Sequence, residues 1–201
     1  KFDPAVVSGV KRILVIGGGW TGMVAAREAA KSGYEVVLVE KTDKLGGAAN
    51  NIPSSSPLTP PWTNRQPVNL PERIEALKNN SLITILYNAN VEKLTGEPGE
   101  YKAEIKSDGK TKTFDIGAVI LATGWVPLDE KYLAPMGLGK SPAIVTAAQF
   151  AKMLVEDKVT AKRIAFVLDT TIAENAFAAE EDSAKEEVAQ EEAAGKNAES
   201  D

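Results

Sequence analysis

Apolar positions follow two rhythms in the first forty residues. Residues 13–16 are an unbroken apolar block, Ile-Leu-Val-Ile, the pattern of a strand covered on both faces. After Gly17, Gly18, Gly19, Trp20, Thr21 and Gly22, the residues Ala, Met and Val recur at helical spacing as far as Ser32, and Gly33 supplies the stop. Residues 35–39 are a second apolar, β-branched run that ends on Glu40. The pattern therefore predicts strand, tight turn, helix and strand.

Further along, residues 53–71 hold six of the eleven prolines, which bars both a central strand and a helix interior. An ordered surface excursion or a docking loop is expected, with Trp62 either packed within it or facing a partner. Pro71 suits the first position of a short helix through Ile74 and Leu77, closed by Asn79 and Asn80. Residues 83–86 read as a third strand of a parallel sheet and residues 91–94 as an extended segment. Residues 101–105 and 111–114 alternate around Ser107-Asp108-Gly109-Lys110, a hairpin signal. This meander leads into residues 118–122, expected to be a fourth buried strand ending in Thr123 and Gly124. A small-Thr-Gly end lets a strand tip pass beside a ligand, although any buried strand with a tight exit reads the same. Thr146 can cap a helix through Ala147, Phe150, Met153 and Leu154, and residues 163–168 predict one more buried strand. Beyond Glu174 the chain is rich in Ala, Glu and Lys, with only Phe177 and Val188 as larger apolar residues, so a solvated helix or disorder is expected.

The glycines of the first turn carry the chemistry. Gly17 lets the backbone leave the strand sharply, Gly19 has no Cβ to hold a pyrophosphate off the main chain, and Gly22 lets the helix lie close to the sheet. The helix points its unpaired amides and positive dipole end at the phosphates, so no Lys or Arg is required there. Glu40 lies 18 residues beyond Gly22, where a carboxylate accepts from both hydroxyls of an adenosine ribose and disfavours a 2′-phosphate. Just past it, Gly46 and Gly47 allow the chain to turn back over a dinucleotide at close range. The competing reading is a generic βαβ turn with a surface acid.

Composition narrows the chemistry further. With 201 residues the chain has room for one domain and an appendage, but hardly two nucleotide-binding domains. It has no cysteine, hence no disulfide, no thiolate-held iron–sulfur centre and no CxxC pair of its own. Neither has it histidine, the commonest general base and metal ligand, so redox chemistry must come from a cofactor and no metal site is expected. The net charge of −5 is uneven: residues 174–201 hold ten acids and two lysines, which leaves the rest slightly basic. Basic residues are scattered singly, which argues against a nucleic-acid surface. No apolar run is long enough to insert in a membrane, and a cytoplasmic protein is the default expectation. Because the chain begins at Lys1, a processed or trimmed N-terminus is expected.

Three separated signals stand in order: GGGWTG with Glu40, the Gly46-Gly47 pair, and AVILATGWVP. Together they resemble the FAD-binding half of the glutathione-reductase-like flavoproteins with two dinucleotide-binding domains. Within that superfamily, LVIGGGWTGMVAAREAAKSGYEVVLVEK, ITILYNANVEKLTGEPGEYKAEI, AVILATGWVPLD and IVTAAQFAKML are most similar to heterodisulfide reductase A subunits and their relatives. The resemblance covers about residues 11–168 and implies an α/β, Rossmann-like FAD-binding domain with a parallel sheet and a β-meander crossover. Residues 1–10 would be a lead-in and residues 169–201 a flexible acidic tail or the linker to another domain.

The resemblance also assigns roles. Gly17, Gly19 and Gly22 would cradle the FAD pyrophosphate with Trp20 and Thr21 in the same loop. Glu40 would hold the ribose, Lys41 would lie beside the adenine, and the backbone of Val91 would edge that ring. Gly46 and Gly47 would bring the chain close to the cofactor, while Ala122, Thr123 and Gly124 would pass near the isoalloxazine side or the pyrophosphate.

There are departures. Ser54, Ser55, Ser56 and Pro57 stand where subgroup relatives carry cysteines, and the ferredoxin-like cysteine runs, the second dinucleotide-binding domain and the late Gly-Asp of the ribityl contact are absent. Asp169 is the candidate replacement for that Gly-Asp. The expected function is an FAD module, truncated or complete, that passes hydride or electrons to iron–sulfur or pyridine-nucleotide-binding domains or subunits of a larger redox complex. Two other readings stay open: a non-catalytic docking module that retains the fold, and an NAD-binding dehydrogenase domain.

Overall fold

Strand β1 (Arg12–Ile16) runs into the glycine turn and helix α1 (Trp20–Lys31), and β2 (Glu35–Val39) returns beside β1 in parallel, pairing Ile13 with Val36 and Ile16 with Val39. The structure is a computed structural model and describes residues 9–52, 54–57 and 59–168. The expected tail, residues 169–201 with Asp169 among them, lies outside the described residues, as do residues 1–8 of the lead-in. The chain divides into two units, Lys1–Trp125 and Val126–Asp201.

In the first unit the proline-rich segment contributes only a pair of two-residue strands, β3 (Ser54–Ser55) and β4 (Gln66–Pro67), which form their own antiparallel sheet. Helix α2 (Leu70–Lys78) follows, with Pro71 in its first turn and Asn79 closing it. Strand β5 (Ile83–Leu86) then pairs with β2 in parallel. Strands β6 (Ala89–Thr95), β7 (Tyr101–Ser107) and β8 (Lys110–Ile116) make the antiparallel meander. Its tight turn places Asp108 and Gly109 at φ +49° and +77°, the paired left-handed positions of a two-residue hairpin. Strand β9 (Ala118–Leu121) closes the parallel sheet in the order β5-β2-β1-β9.

The unbroken apolar runs are explained by what covers them. Alternate residues of a strand face opposite sides. Val15, Val36 and Leu38 therefore pack with Met23 and Ala26 of α1, and with Leu77 of α2. Leu14, Val37 and Val39 pack on the other face with Ala103, Ile105 and Ile116 of the meander. A sheet buried on both faces leaves no room for alternation in sequence. Strand β9 departs from expectation. It lies at the sheet edge, and Leu121 is 74% exposed, so it is not the fully buried strand its apolar composition predicts.

The second unit contains 3₁₀ turns over Glu130–Met136 and helix α3 (Ala147–Val155). Thr146 does cap α3: its hydroxyl accepts from the Gln149 amide at 3.1 Å, and the Gln149 side chain accepts from the Thr146 amide at 2.9 Å. The expected strand over residues 163–168 is absent. Among the described residues no strand pairs with this segment, and Val167 and Leu168 are 70% and 94% exposed. An apolar run encodes a need for cover but not its source, and the one ring pair among the described residues is Phe166, edge-on to Phe150 at 5.8 Å.

Candidate dinucleotide-binding site

The glycine turn leaves β1 at its carboxyl end, where open parallel sheets bind ligands. Gly17 sits at φ +108°, and a Cβ there would run into the Ala122 carbonyl. A Cβ at Gly22 would run into the Gly17 carbonyl, so Gly22 serves the turn's own closure as much as the approach of helix to sheet. Gly19 differs from both. Its φ of −72° and ψ of −172° are open to any residue, and a Cβ there would meet no protein atom within 4 Å. That Cβ would project into open space at the start of α1, where no side chain caps the helix and no acid occupies the first turn.

Glu40 is the brace of the site. It is 8% exposed, the one charged side chain counted in the core of the described residues. The Gly18 amide donates to its Oε2 at 2.8 Å, and the Thr42 amide and hydroxyl both donate to its Oε1 at 2.8 Å. Oε1 is thereby filled, whereas Oε2 keeps one lone pair for another donor. Close packing also explains Gly18: a Cβ there would sit 2.5 Å from Leu45 Cδ2 and 2.7 Å from Glu40 Oε2. The glycine pair further on is tied to the turn as well. The Gly46 amide donates to the Gly18 carbonyl at 2.8 Å, and a Cβ on Gly47 would reach to 3.2 Å from Gly19 Cα.

Around these groups opens a cavity of about 960 Å³, at the upper end of the range for small-molecule sites. Of the residues singled out in the sequence, Gly17, Gly19, Trp20, Thr21, Glu40, Lys41, Gly47, Val91, Ala122, Thr123 and Gly124 line it. Gly22 and Gly46 do not; they pack the turn from behind. Val91 reaches the cavity beside an irregularity in the β6–β7 ladder between Val91 and Lys93. Ser55, Ser56 and Pro57 line it too, so the proline-rich segment is partly a wall of the site rather than wholly a surface excursion. Sequence reasoning missed Gly18, Thr42, Arg73 and Trp125, all of which line the cavity. The triple glycine signalled the first of these, and a hydroxyl two residues beyond the acid signalled the second.

A family profile described as pyridine nucleotide-disulphide oxidoreductase matches residues 11–143. The chain belongs to that family. Among curated proteins it is 28% identical over 137 residues to the A subunit of the ferredoxin/F420H2-dependent CoB-CoM heterodisulfide reductase of Methanosarcina acetivorans, a match covering 67% of this chain and 17% of that one. A heterodisulfide reductase A-like protein of Archaeoglobus profundus is 30% identical over 96 residues, covering 48% of this chain and 13% of that one. The chain therefore spans less than a fifth of either relative. Among solved structures, the bacillithiol disulfide reductase Bdr of Bacillus cereus aligns at 29% identity over 65% of this chain and 33% of that one, with a TM-score of 0.41.

FAD is the cofactor that membership in this oxidoreductase family implies, and the site fits it. The cradle at Gly19 is empty where a Cβ would stand, the helix start is uncapped, and Glu40 keeps one acceptor position for a sugar hydroxyl. Among the described residues no helix is long and apolar enough to cross a membrane.

Thr42 sets how firmly Glu40 is aimed. Thr42→Val removes one of the two donors on Oε1 and leaves the backbone donor in place. The lost hydrogen bond is made whether or not a ligand is bound, so losing about 1.5 kcal/mol is expected to lower the Tm of the cofactor-free protein by roughly 3–6 °C. Calorimetry of the cofactor-free variant checks this; an unchanged Tm would show that the Thr42 hydroxyl does not brace the carboxylate.

Proposed function

We propose that this chain is the FAD-holding part of a heterodisulfide reductase A-like oxidoreductase, which passes electrons or hydride to iron–sulfur or pyridine-nucleotide-binding domains or subunits of a larger redox complex. The observation that carries the reading is the braced turn: an acid bonded to the Gly18 amide beside an uncapped helix start, both facing one cavity. Bound FAD would supply the two-electron chemistry that a chain without cysteine or histidine cannot. The chain's own part is to bind and orient. The first amides of α1 and the bare Gly19 would take the diphosphate, Glu40 the ribose hydroxyls, and Lys41 and Val91 the adenine edge. Ala122, Thr123 and Gly124 would bound the remaining length of the cofactor.

Similarity to heterodisulfide reductase A subunits supports a partner-dependent role, because electrons leaving the flavin need an acceptor and no residue of this chain is a thiol. On this reading residues 11–168 form one FAD-binding domain, consistent with a family match that runs past the division at Trp125. A cytoplasmic setting is part of the same proposal.

The test is ligand-dependent stability. At 100 times its Kd a ligand that binds only the folded state adds about 2.7 kcal/mol. For a protein of this size that is a rise in Tm of roughly 5–10 °C. FAD is expected to produce that rise, NAD at equal concentration much less, and the purified complex to absorb in the visible range as flavin does. A larger gain with NAD would move the chain to the dehydrogenase reading.

A further inference from the structure

Arg73 has no place in the reading above, yet it lines the cavity beside the start of α1. It lies in the early part of α2 and lines the cavity with Trp20, the first residue of α1. Its guanidinium carbon sits 4.7 Å from the centroid of the Trp20 ring, and its Nε donates to the Val68 carbonyl at 3.4 Å. Stacked on one side and tethered at Nε, the fork is held while its two Nη groups make no ion pair with any acid of the described residues.

That placement opposes the local field. The start of α1 already carries about half a positive charge from its aligned peptides. Its first turn has no acid to offset it, and the one carboxylate beside the turn, Glu40, is already engaged by the Gly18 and Thr42 donors. A cation stacked on the residue that opens this helix adds like charge to like. The arrangement makes physical sense when an anion of about two charges sits between them, which is what a dinucleotide's diphosphate supplies. Lys41, the other cation lining the cavity, follows Glu40 directly and belongs to the sugar end, so it does not do this.

We propose that Arg73 is a positioning residue for the cofactor's diphosphate. Its Nη groups donate to the phosphate oxygens, with Trp20 as the platform that holds the guanidinium over the helix start. The inference rests on the FAD reading and adds a side-chain clamp to a site otherwise built from backbone amides. Guanidinium–phosphate pairing is charge-assisted and two-pronged, hence stronger than a neutral hydrogen bond and sensitive to salt.

Arg73→Gln tests this in the full chain. Arg73 is exposed, and its tether and stack are few, so the variant is expected to keep the wild-type circular dichroism spectrum. FAD and ADP are expected to bind about tenfold more weakly, the worth of one such charge-assisted contact. Adenosine, measured by competition, is expected to bind as before, and the dependence of FAD affinity on ionic strength is expected to become shallower. Arg73→Lys keeps a charge but loses the fork, so its affinity should fall between the two while its salt dependence stays as in the wild type. Equal losses for adenosine and ADP would reduce Arg73 to a structural role and overturn the proposal. So would wild-type FAD affinity in Arg73→Gln, or a flattened salt dependence in Arg73→Lys. A wild-type chain that binds no FAD would overturn the cofactor reading itself, and this inference with it.

Discussion

Gly19→Val is expected to yield a folded protein that retains no flavin. The backbone at Gly19 is extended, φ −72° and ψ −172°, which valine adopts readily, and a Cβ there meets no protein atom within 4 Å. The cost to folding is therefore small. On the proposed reading the cost to binding is large, because the added methyl groups would occupy the space from which phosphate oxygens would reach the first amides of α1. Losing two hydrogen bonds to a charged group, at about 1.5 kcal/mol or more each, weakens FAD binding at least a hundredfold. Flavin absorbance of the purified variant reads the loss, and the Tm of the cofactor-free protein, expected within about 4 °C of wild type because valine is a poorer residue than glycine at the start of α1, shows that the fold stands. A Gly19→Val protein as yellow as the parent would remove the diphosphate from this cavity.

Glu40→Ala should strike both stability and binding. Three donors converge on this buried carboxylate, and truncation leaves the Gly18 and Thr42 amides without their acceptor. Each stranded donor in a part-buried setting costs on the order of 1–3 kcal/mol. A total of about 3 kcal/mol lowers the Tm of the cofactor-free protein by roughly 6–12 °C. Glu40→Gln keeps the shape and one carbonyl oxygen but turns an amide toward existing donors, so it should fall in between. Calorimetry on both cofactor-free variants decides the matter. An Ala variant as stable as the parent would mean that Glu40 serves only the ligand and braces nothing.

The contrast between these substitutions marks what could be read from the chain before its fold was known. The turn of β1 into α1, the return along β2 and the Asp108-Gly109 hairpin are local, and each follows from residues within a few positions of one another. The presence of an acid at the cavity, 18 residues beyond Gly22, was likewise legible from spacing. Its bond to the Gly18 amide was not, since a motif gives a distance along the chain and not the direction of a carboxylate. Arg73 reaches Trp20 only because α2 packs beside α1, a pairing that no periodicity encodes. The exposed side of β9 and the missing strand at residues 163–168 share one cause. Apolar composition states that a segment wants neighbours, whereas the neighbours are chosen by the rest of the fold.

Strand β9 pairs with β1 across more than a hundred intervening residues, Ile13 against Ala118 and Ile16 against Leu121. A ribosome adding about 5–20 residues each second takes on the order of 5–20 s to cover that interval. During that time the glycine turn has emerged but lacks β9 and the Ala122 carbonyl that follows it, against which Gly17 lies. On the proposed FAD reading, capture of this vitamin-derived cargo would wait until residues 122–124, which line the cavity, have left the exit tunnel, a late event in the life of the nascent polypeptide.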